Sequence, residues 1–559
     1  MKEGNVRLIG FMLATSLLVL SACSKNGGEA SQSPSASSTP AASQASQPAE
    51  SETASTDGKY DPPITLTTVR TTEPTVKFPD GDSYDNNAWT RAYEEEYGIK
   101  VKTLWAVDGS QWEQKINLTV ASGEIPDFFK VNATMFKQLA EAGMIADLTE
   151  VYANATDRVK KLLTEENPTA IEAATIDGKL MALPLSNSNR EGSSMVYVRT
   201  DWLKALNLPE PKTMDDLFKI SEAFSTQDPD KNGKADTYGF AVDKDFELLK
   251  GYFNSFHAYP TLMIKDKDGN LTSGVIQPEM KNALAKLQEM FKAKQIDPEF
   301  GAKDITKVFE MVANGKIGIL YFPFYGPLYP LQSGKDKDPK MEWQAFPLLS
   351  VDSDPAKPQV PVSVENFWVV KKGVEHPEAV LKMLDFWVKT FYENKSDDIY
   401  HKFNAAEDGN QVWNFSNIAG FKAFKNVEES LRIIDALDTK DTSNLGPEDK
   451  GVYDKILKFQ SGDLTNWGWN LIFSKGGSMS VSNYYRTNDL YQIDEFTTSP
   501  LESQIQKGPA LTKLQAETFT KIILGSLPVD AFDNFTKQWS DLGGNEILAD
   551  VNKWYKSKS

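Results

Sequence analysis

Ala121-Ser122-Gly123-Glu124-Ile125-Pro126-Asp127-Phe128-Phe129-Lys130-Val131 decides the architecture of the first part of the chain. A helix that starts in the capping pattern Ser110-x-x-Glu113 ends near Gly123, where glycine can take the left-handed turn that closes helices. Residues 126–131 then read as a short strand, and another helix follows from about Thr134 to Gly143. Upstream, Ile64-Thr65-Leu66-Thr67-Thr68-Val69 alternates with β-branched residues and reads as a strand. Asp85 is placed to cap a helix through Tyr97, Gly98 stops it, and residues 99–105 read as the next strand. Repeated strand–helix–strand units predict an α/β fold with a mostly parallel sheet. Ligands of such sheets sit beyond the carboxyl ends of the strands. That rule marks three loops: residues 70–87, Asn132-Ala133, and residues 186–192.

Further along, residues 195–198 read as a strand, Asp201 begins a helix, and Thr213-x-x-Asp216 caps another running to about Phe224. Residues 280–294 are amphipathic at helical spacing, and residues 317–322 form an apolar strand after the Asn314-Gly315 turn. Residues 367–370 read as a strand, followed by Pro377 in the first turn of a long helix ending near Tyr392. The last third reads as mainly helical, and no internal repeat is found.

The beginning of the chain has a different character. Lys2 and Arg7 precede an apolar run over residues 8–20, too short to span a bilayer and patterned as a signal peptide (residues 1–22). It ends in Leu20-Ser21-Ala22-Cys23, which resembles the lipobox of bacterial lipoproteins, with Cys23 as the lipidated residue. Cys23 is the only cysteine, so a disulfide framework and a cysteine metal site are excluded. Residues 23–58 are rich in Ser, Ala, Pro and Gln and read as a flexible, lipid-anchored tether on the extracytoplasmic face of the cell membrane. The rest exceeds what one core usually organises, so at least two domains are expected. Sixty Lys and Arg against 78 Asp and Glu give a net charge of -18, which argues against a nucleic-acid partner and against a polybasic membrane patch.

Several segments, in order, resemble the family 1 extracellular solute-binding proteins, in particular the large lipoprotein subgroup of Gram-positive bacteria. They are residues 121–127, Gly143-Met144-Ile145-Ala146-Asp147-Leu148-Thr149, residues 177–184, Tyr197-Val198-Arg199-Thr200-Asp201-Trp202-Leu203, and Val374-Glu375-His376-Pro377-Glu378-Ala379. Near the end, Gly525, Asp533-x-Phe535, Trp539, Leu542-Gly543-Gly544 and Asn552-x-Trp554-Tyr555 follow the subgroup's closing pattern. The resemblance implies a two-lobed periplasmic-binding-protein-like fold of type II, with the ligand enclosed between lobes joined by a hinge. It implies lobe one over residues 59–189, lobe two over 190–360, a return to lobe one over 361–425, and a helical region over 426–559 packing on both. The function read from it is that of a monomeric receptor that captures a carbohydrate, an oligosaccharide, between its two lobes and delivers it to the permease of an ABC importer. A surface polysaccharide hydrolase, or a receptor for peptide or another non-sugar solute, are the alternatives.

Two constellations carry chemistry. In Asp228-Pro229-Asp230-Lys231-Asn232-Gly233-Lys234-Ala235-Asp236, oxygen-bearing side chains Asp228, Asp230, Asn232 and Asp236 fall at relative positions 1, 3, 5 and 9. Gly233 supplies the sharp turn and Lys234 a backbone carbonyl, which is EF-hand spacing and predicts a structural Ca²⁺ in lobe two. The closing bidentate Glu is missing, since position 12 is Gly239. Related alginate-binding proteins carry an acidic residue at position 10, where this chain has Thr237. A plain Asp/Asn/Gly surface turn uses the same residues. The second constellation is aromatic, because sugar rings stack their C–H faces on aromatic rings. Loop candidates are Trp89, Trp112, Tyr321, Phe324, Tyr325, Tyr329, Trp413, Trp467 and Trp469, the last two separated by Gly468, which would leave both rings open. Trp202, Trp387, Trp539 and Trp554 are assigned to packing. Polar candidates are Lys130, Asn132, Arg190, Glu365 and Asn366.

Catalytic patterns are thin. The three histidines are His257, His376 and His401, and no HExxH, GxSxG or phosphate loop occurs. Gly81-Asp82-Ser83 with Asp398-x-x-His401 resembles the two blocks of GDS-type esterases, but the serine does not follow a strand and a long stretch follows the histidine. No catalytic residue is assigned.

Overall fold

The computed structural model describes residues 58–72, 77–165, 170–186, 190–361, 364–498 and 500–557; Cys23 and the tether lie outside the described residues. Lobe one opens with β1 (Ile64–Thr71), α1 (Ala88–Tyr97), β2 (Ile99–Val107), α2 (Trp112–Ala121), β3 (Phe128–Val131) and α3 (Ala133–Glu141). Short helices and a small hairpin lead to β4 (Leu183–Ser186). Lobe two carries β5 (Met195–Arg199), α4 (Met214–Thr226), β6 (Tyr238–Phe240), α5 (Pro278–Lys292), β7 (Ile317–Phe322), β8 (Trp343–Phe346) and β9 (Gln359–Val360). The chain returns through β10 (Val364–Val370) and α6 (Glu378–Val388). The helical region then holds α7 (Lys425–Thr439), α8 (Pro447–Gln460), α9 (Trp467–Phe473), α10 (Ser478–Thr487), α11 (Glu502–Ile523), α12 (Ala531–Trp539) and α13 (Asn545–Ser557).

Local chemistry explains the boundaries, sometimes differently from the sequence expectation. α1 is capped by Asn87, not Asp85: the Asn87 side chain accepts from Trp89 and Thr90 N–H, and Thr90 Oγ1 accepts from Asn87 N–H in return. Asp85 instead accepts the Thr103 N–H at 2.7 Å and ties the helix start to β2. Ser110 caps nothing; Asp108 accepts its N–H and opens a single 3₁₀ turn before α2. Glu113 is drawn across to Asn132, whose side chain caps α3. Thr213 and Asp216 do form the reciprocal cap of α4.

The expectation of a mostly parallel sheet is corrected. β1 and β2 are parallel, with a register shift between Thr68 and Arg70. β10, however, lies between β3 and β4 and runs antiparallel to both, pairing Trp368 with Lys130 and with Leu183. The reason is connectivity: β4 leaves lobe one and β10 comes back, so the two run in opposite directions. Lobe two repeats this, with order β8-β5-β7-β6 and only β7 and β6 parallel.

Two large cores result. One draws its buried side chains from Tyr60 to Leu185 and from Phe367 to Ile418. The other draws on Met195 to Val360 and again on Trp467 to Val551, so much of the helical region shares the core of lobe two. A smaller core joins α7, α8 and α9 and rests on Phe324 and Leu328, just after β7. Fully burying each large apolar side chain contributes about 1.5–3 kcal/mol, so these cores outweigh any surface ion pair. No helix among the described residues is long and apolar enough to cross a membrane.

Gly98 is the tightest joint in lobe one. Its φ is +67°, and a Cβ there would stand 2.3 Å from the Tyr60 carbonyl oxygen. Gly98→Ala is therefore expected to lower stability by at least about 1–3 kcal/mol, the cost of a strained left-handed residue before the clash is added. Chemical denaturation measures it, and a change within a few tenths would contradict the strain.

Candidate ligand-binding site

The end of β1 supplies the floor of a concavity of about 280 Å³ in lobe one. Thr68, Arg70 and Thr71 come from that strand, Lys130 from the end of β3, Leu185 from β4, and Asn366 and Trp368 from one face of β10. The segment Trp413 to Phe421 forms the opposite wall. Arg70 fixes this wall by donating from Nη1 to the Phe415 carbonyl at 3.0 Å and from Nη2 to the Asn414 carbonyl. Its guanidinium carbon lies 4.5 Å from the Tyr84 ring centre. Trp413 and Phe421 meet edge to face at 5.6 Å, and Trp413 Nε1 donates to Gln411. Asn417, 5% exposed, has no protein partner for either Oδ1 or Nδ2.

Lobe two offers a second concavity of about 390 Å³, lined by Gly192 to Ser194, Glu247, Lys250, Thr261, Tyr321 to Pro323, Tyr325, Gln359 and Pro361. Tyr325 is 44% exposed and packs its edge on Phe322. Glu247 and Lys250 pair with each other at 2.5 Å. Pro361 in this concavity and Asn366 in the other are five positions apart. Fully extended chain spans at most about 3.6 Å per residue, which bounds those two Cα atoms to about 18 Å. The concavities thus lie on either side of the crossing strands, where a two-lobed binder places its ligand. A roomier hollow lined by Tyr97, Glu150 and Asp385 lies among helices of lobe one and touches neither crossing.

Glu191 sits in the first crossing and is fully buried. Its carboxylate accepts the Val427 N–H at 2.6 Å and the Asn426 amide at 2.7 Å, in the first turn of α7. Ser482 Oγ donates to its carbonyl. The first crossing is thereby stapled to the point where the chain enters the helical region. Burial lifts this carboxyl to about 7, against the pull of the Val427 N–H, the Asn426 amide and the Lys425 charge.

Residues 88–394, more than half of the chain, match the family described as bacterial extracellular solute-binding protein. The chain belongs to that family. Lipoprotein LipO of Bacillus subtilis is 23% identical over 85% of this chain and 89% of its own length. The polygalacturonan/rhamnogalacturonan-binding protein YtcQ of the same organism is 25% identical over 81% and 84%. Among solved structures, the substrate-binding protein FusA of Streptococcus pneumoniae in complex with kestose aligns with a TM-score of 0.59 at 16% identity, covering 89% of this chain and 99% of that one. An HMO-binding solute-binding protein of Bifidobacterium longum infantis aligns with a TM-score of 0.59 at 18% identity, covering 89% and 99%. The two-lobed fold of this solute-binding protein is the one those structures share.

Within this family member, the predicted site residues divide. Lys130, Asn366 and Trp413 fall in the lobe-one concavity, and Tyr321 and Tyr325 in that of lobe two. Trp112 stands beside the first, 5.5 Å from Lys130 Nζ and 5.5 Å from Trp105. Asn132 is spent on capping α3, and Arg190 lies 5.7 Å from the Tyr491 ring. Glu365 falls in β10, but its side chain lies outside the described residues.

The other aromatic candidates line neither concavity. Trp89 is fully buried, stacked 5.2 Å from Trp387 with its indole N–H on the Val412 carbonyl, and so is a core residue. Phe324 packs between two cores, and Tyr329 sits edge-on to Phe309. Trp467 is 2% exposed and donates to Glu342; Trp469 stacks on Phe473 under the Lys455 ammonium. Gly468 does not hold two rings open. A Cβ there would meet the Pro327 carbonyl oxygen at 2.6 Å, so the glycine lets α9 approach the turn after β7. Trp368, Asn417 and Phe421 were not singled out from the sequence; the same-face spacing of Asn366 and Trp368 on β10 was the available signal.

The Asp228 loop turns as the sequence predicts. Asp228 accepts the N–H groups of Asn232 and Gly233, and Asn232 Nδ2 gathers Asp230 at 2.7 Å and Asp236 at 3.1 Å. Burial, with Asp228 alongside, raises the Asp230 carboxyl. Lys316 already pairs with Asp236 at 2.6 Å, and Thr237 is buried with its hydroxyl on the Phe224 carbonyl. No His, Cys, Asp or Glu cluster of metal-binding form occurs among the described residues. The donors fit a calcium loop in order but not in number.

Glu191 gives a sign-defined test. Its native carboxyl near 7 lies above the ordinary 4.5, so between those values the unfolded chain loses a proton that the native one keeps. That contribution to stability is full below about 4.5, falls as pH rises, and is level above about 7. The melting temperature of Glu191→Gln relative to the parent should therefore climb between pH 5 and pH 8. A constant difference across that range would contradict the buried, proton-holding carboxyl.

Proposed function

We propose that this protein captures a carbohydrate, most simply an oligosaccharide, between its two lobes outside the cell and hands it to the permease of an ABC importer. The observation that carries this reading is the pair of aromatic and polar concavities flanking the crossing strands, Trp368, Trp413 and Phe421 on one side and Tyr325 on the other. Rings supply faces for sugar C–H groups, and Thr68, Asn366, Asn417 and Thr261 supply placed hydrogen-bonding groups. Relatives point the same way, since FusA was solved with kestose and YtcQ is named for binding polygalacturonan and rhamnogalacturonan. Closing about the crossings would bury the sugar and present one closed surface to the permease. The chain acts as a monomeric, palmitate-bearing lipoprotein anchored through Cys23. It is a receptor and not a hydrolase.

Thermal-shift measurements on the full chain in detergent, against a panel of oligosaccharides, test the reading. A ligand at one hundred times its dissociation constant should add about 2.7 kcal/mol of stability, with the glycan recovered intact. No response to any sugar, or turnover of the glycan, would refute it.

The Asp228 loop takes a structural Ca²⁺ through Asp228, Asp230, Asn232, Asp236 and the Lys234 carbonyl, in competition with Lys316. A related FusA structure is described as an EF-hand mutant, which supports the assignment. With the bidentate Glu missing, affinity belongs at the weak end, about 10⁻⁴–10⁻³ M. Millimolar calcium should raise the melting temperature and chelator reverse it, with the effect absent in Asp228→Ala. Identical melting with and without calcium would leave the loop a surface turn.

A further inference from the structure

The wall of the lobe-one concavity is held by backbone bonds on both sides of Asn417. On one side, Arg70 donates to the Asn414 and Phe415 carbonyls, and the Tyr93 hydroxyl meets Ser416 Oγ at 2.8 Å. On the other, Ser416 Oγ donates to the Ile418 carbonyl at 2.7 Å and Trp387 Nε1 to the Gly420 carbonyl at 2.8 Å. The Asn414 amide is spent on the Gln411 carbonyl. Asn417 takes no part in this. It lines the concavity, is 5% exposed, and neither Oδ1 nor Nδ2 has a hydrogen-bond partner among the described residues.

Buried amides are nearly always paired, and one left unpaired weakens the fold that holds it. A ligand that reaches the amide relieves that weakness. Turning the amide toward the concavity breaks no bond to the described residues, and its dehydration is complete before a ligand arrives. The wall around it stays fixed meanwhile, so the amide is the part of the wall able to answer a ligand.

The chemistry of the amide says what it reads. It presents an acceptor and a donor side by side. Two hydroxyls on adjacent ring carbons match that pair, one donating to Oδ1 and the other accepting from Nδ2. They match it whichever way round the amide stands. A carboxylate only accepts, so it would satisfy Nδ2 and set its charge against Oδ1. Trp368, Trp413 and Phe421 supply apolar ring faces in the same concavity. At about 280 Å³ the space falls just under the range of drug-sized sites, which suits one sugar ring of a longer chain.

We propose that Asn417 is the specificity-determining residue of the lobe-one concavity and selects a sugar ring with free hydroxyls on two adjacent carbons. This rests on the carbohydrate-receptor reading above and names the feature of the sugar that this subsite recognises.

Isothermal titration of the full chain in detergent tests it, using the tightest binder among kestose, maltotriose, trigalacturonate and the rest of the panel, with its monodeoxy analogues. Two analogues lacking hydroxyls on adjacent carbons of one ring should each bind about ten-fold or more weakly than the parent sugar. Asn417→Leu, close in size and apolar, should bind the parent sugar about as weakly and lose both discriminations. Without ligand it should melt no lower than the parent protein, because an unpaired buried amide has gone. Asn417→Ala serves for the titrations if the leucine does not fit. No adjacent pair of weakened analogues, or discrimination that persists in both variants, would overturn the assignment and leave the receptor reading standing. So would a destabilised Asn417→Leu together with unchanged binding by Asn417→Ala, which would make Asn417 a packing residue. Failure of every sugar in the panel would overturn the receptor reading itself.

Discussion

Glu191 is the contact on which the two-lobed arrangement turns. A carboxyl with no exposure, placed in the first crossing, accepts the Val427 N–H and the Asn426 side-chain amide in the first turn of α7. The helix dipole favours an acceptor there, while burial disfavours its charge. The two effects leave a group held by geometry in either protonation state. The first crossing is thereby fixed to the start of α7 at this point. Beside it, Lys425 pairs with Glu429 on α7 and with Glu448 on α8, and Arg432 with Asp449, so charged groups tie α7 to α8 next to the staple.

The strand directions follow from the same crossings. A chain that leaves a sheet through β4 and returns through β10 brings back a strand pointing the opposite way. Inserted between β3 and β4, β10 carries Asn366 and Trp368 into the lobe-one concavity from the centre of the sheet. The register shift after Thr68 re-aims the end of β1 toward the same space. Rigid strands from distant parts of the sequence therefore hold the lining, and only the 413–421 wall is loop, itself pinned by Arg70.

Local signals in the sequence were read well where the partner was local. Thr213 and Asp216 lie three residues apart and cap one another as expected, and the apolar run after Asn314-Gly315 is β7. Two candidate caps misled because Asn87 and Asp108 compete at nearly the same place. The insertion of β10 could not be read, since its pairing partners are far away in sequence and its own pattern fits either direction. Lys130, Asn366, Trp413 and Tyr325 stand at strand ends or in loops of the sequence pattern, and they line the two concavities. Trp89 and Trp467 met the same criterion and are core, because a helix cap or a glycine can bury a ring that looks exposed on paper. Asn417 gave no sign at all: one asparagine in a polar segment does not reveal that its amide is shut away from both water and protein.

The two ends of the folded body belong to different lobes. Tyr60, bonded to Glu378, starts the core of lobe one, whereas α13 closes the core of lobe two through Ile547 and Val551. A donor dye near residue 58 and an acceptor after Ser557 would be attached to different cores. Energy transfer between them would change with any change in how the two cores are set, so the placement of the chain ends alone makes lobe closure measurable without labelling the ligand.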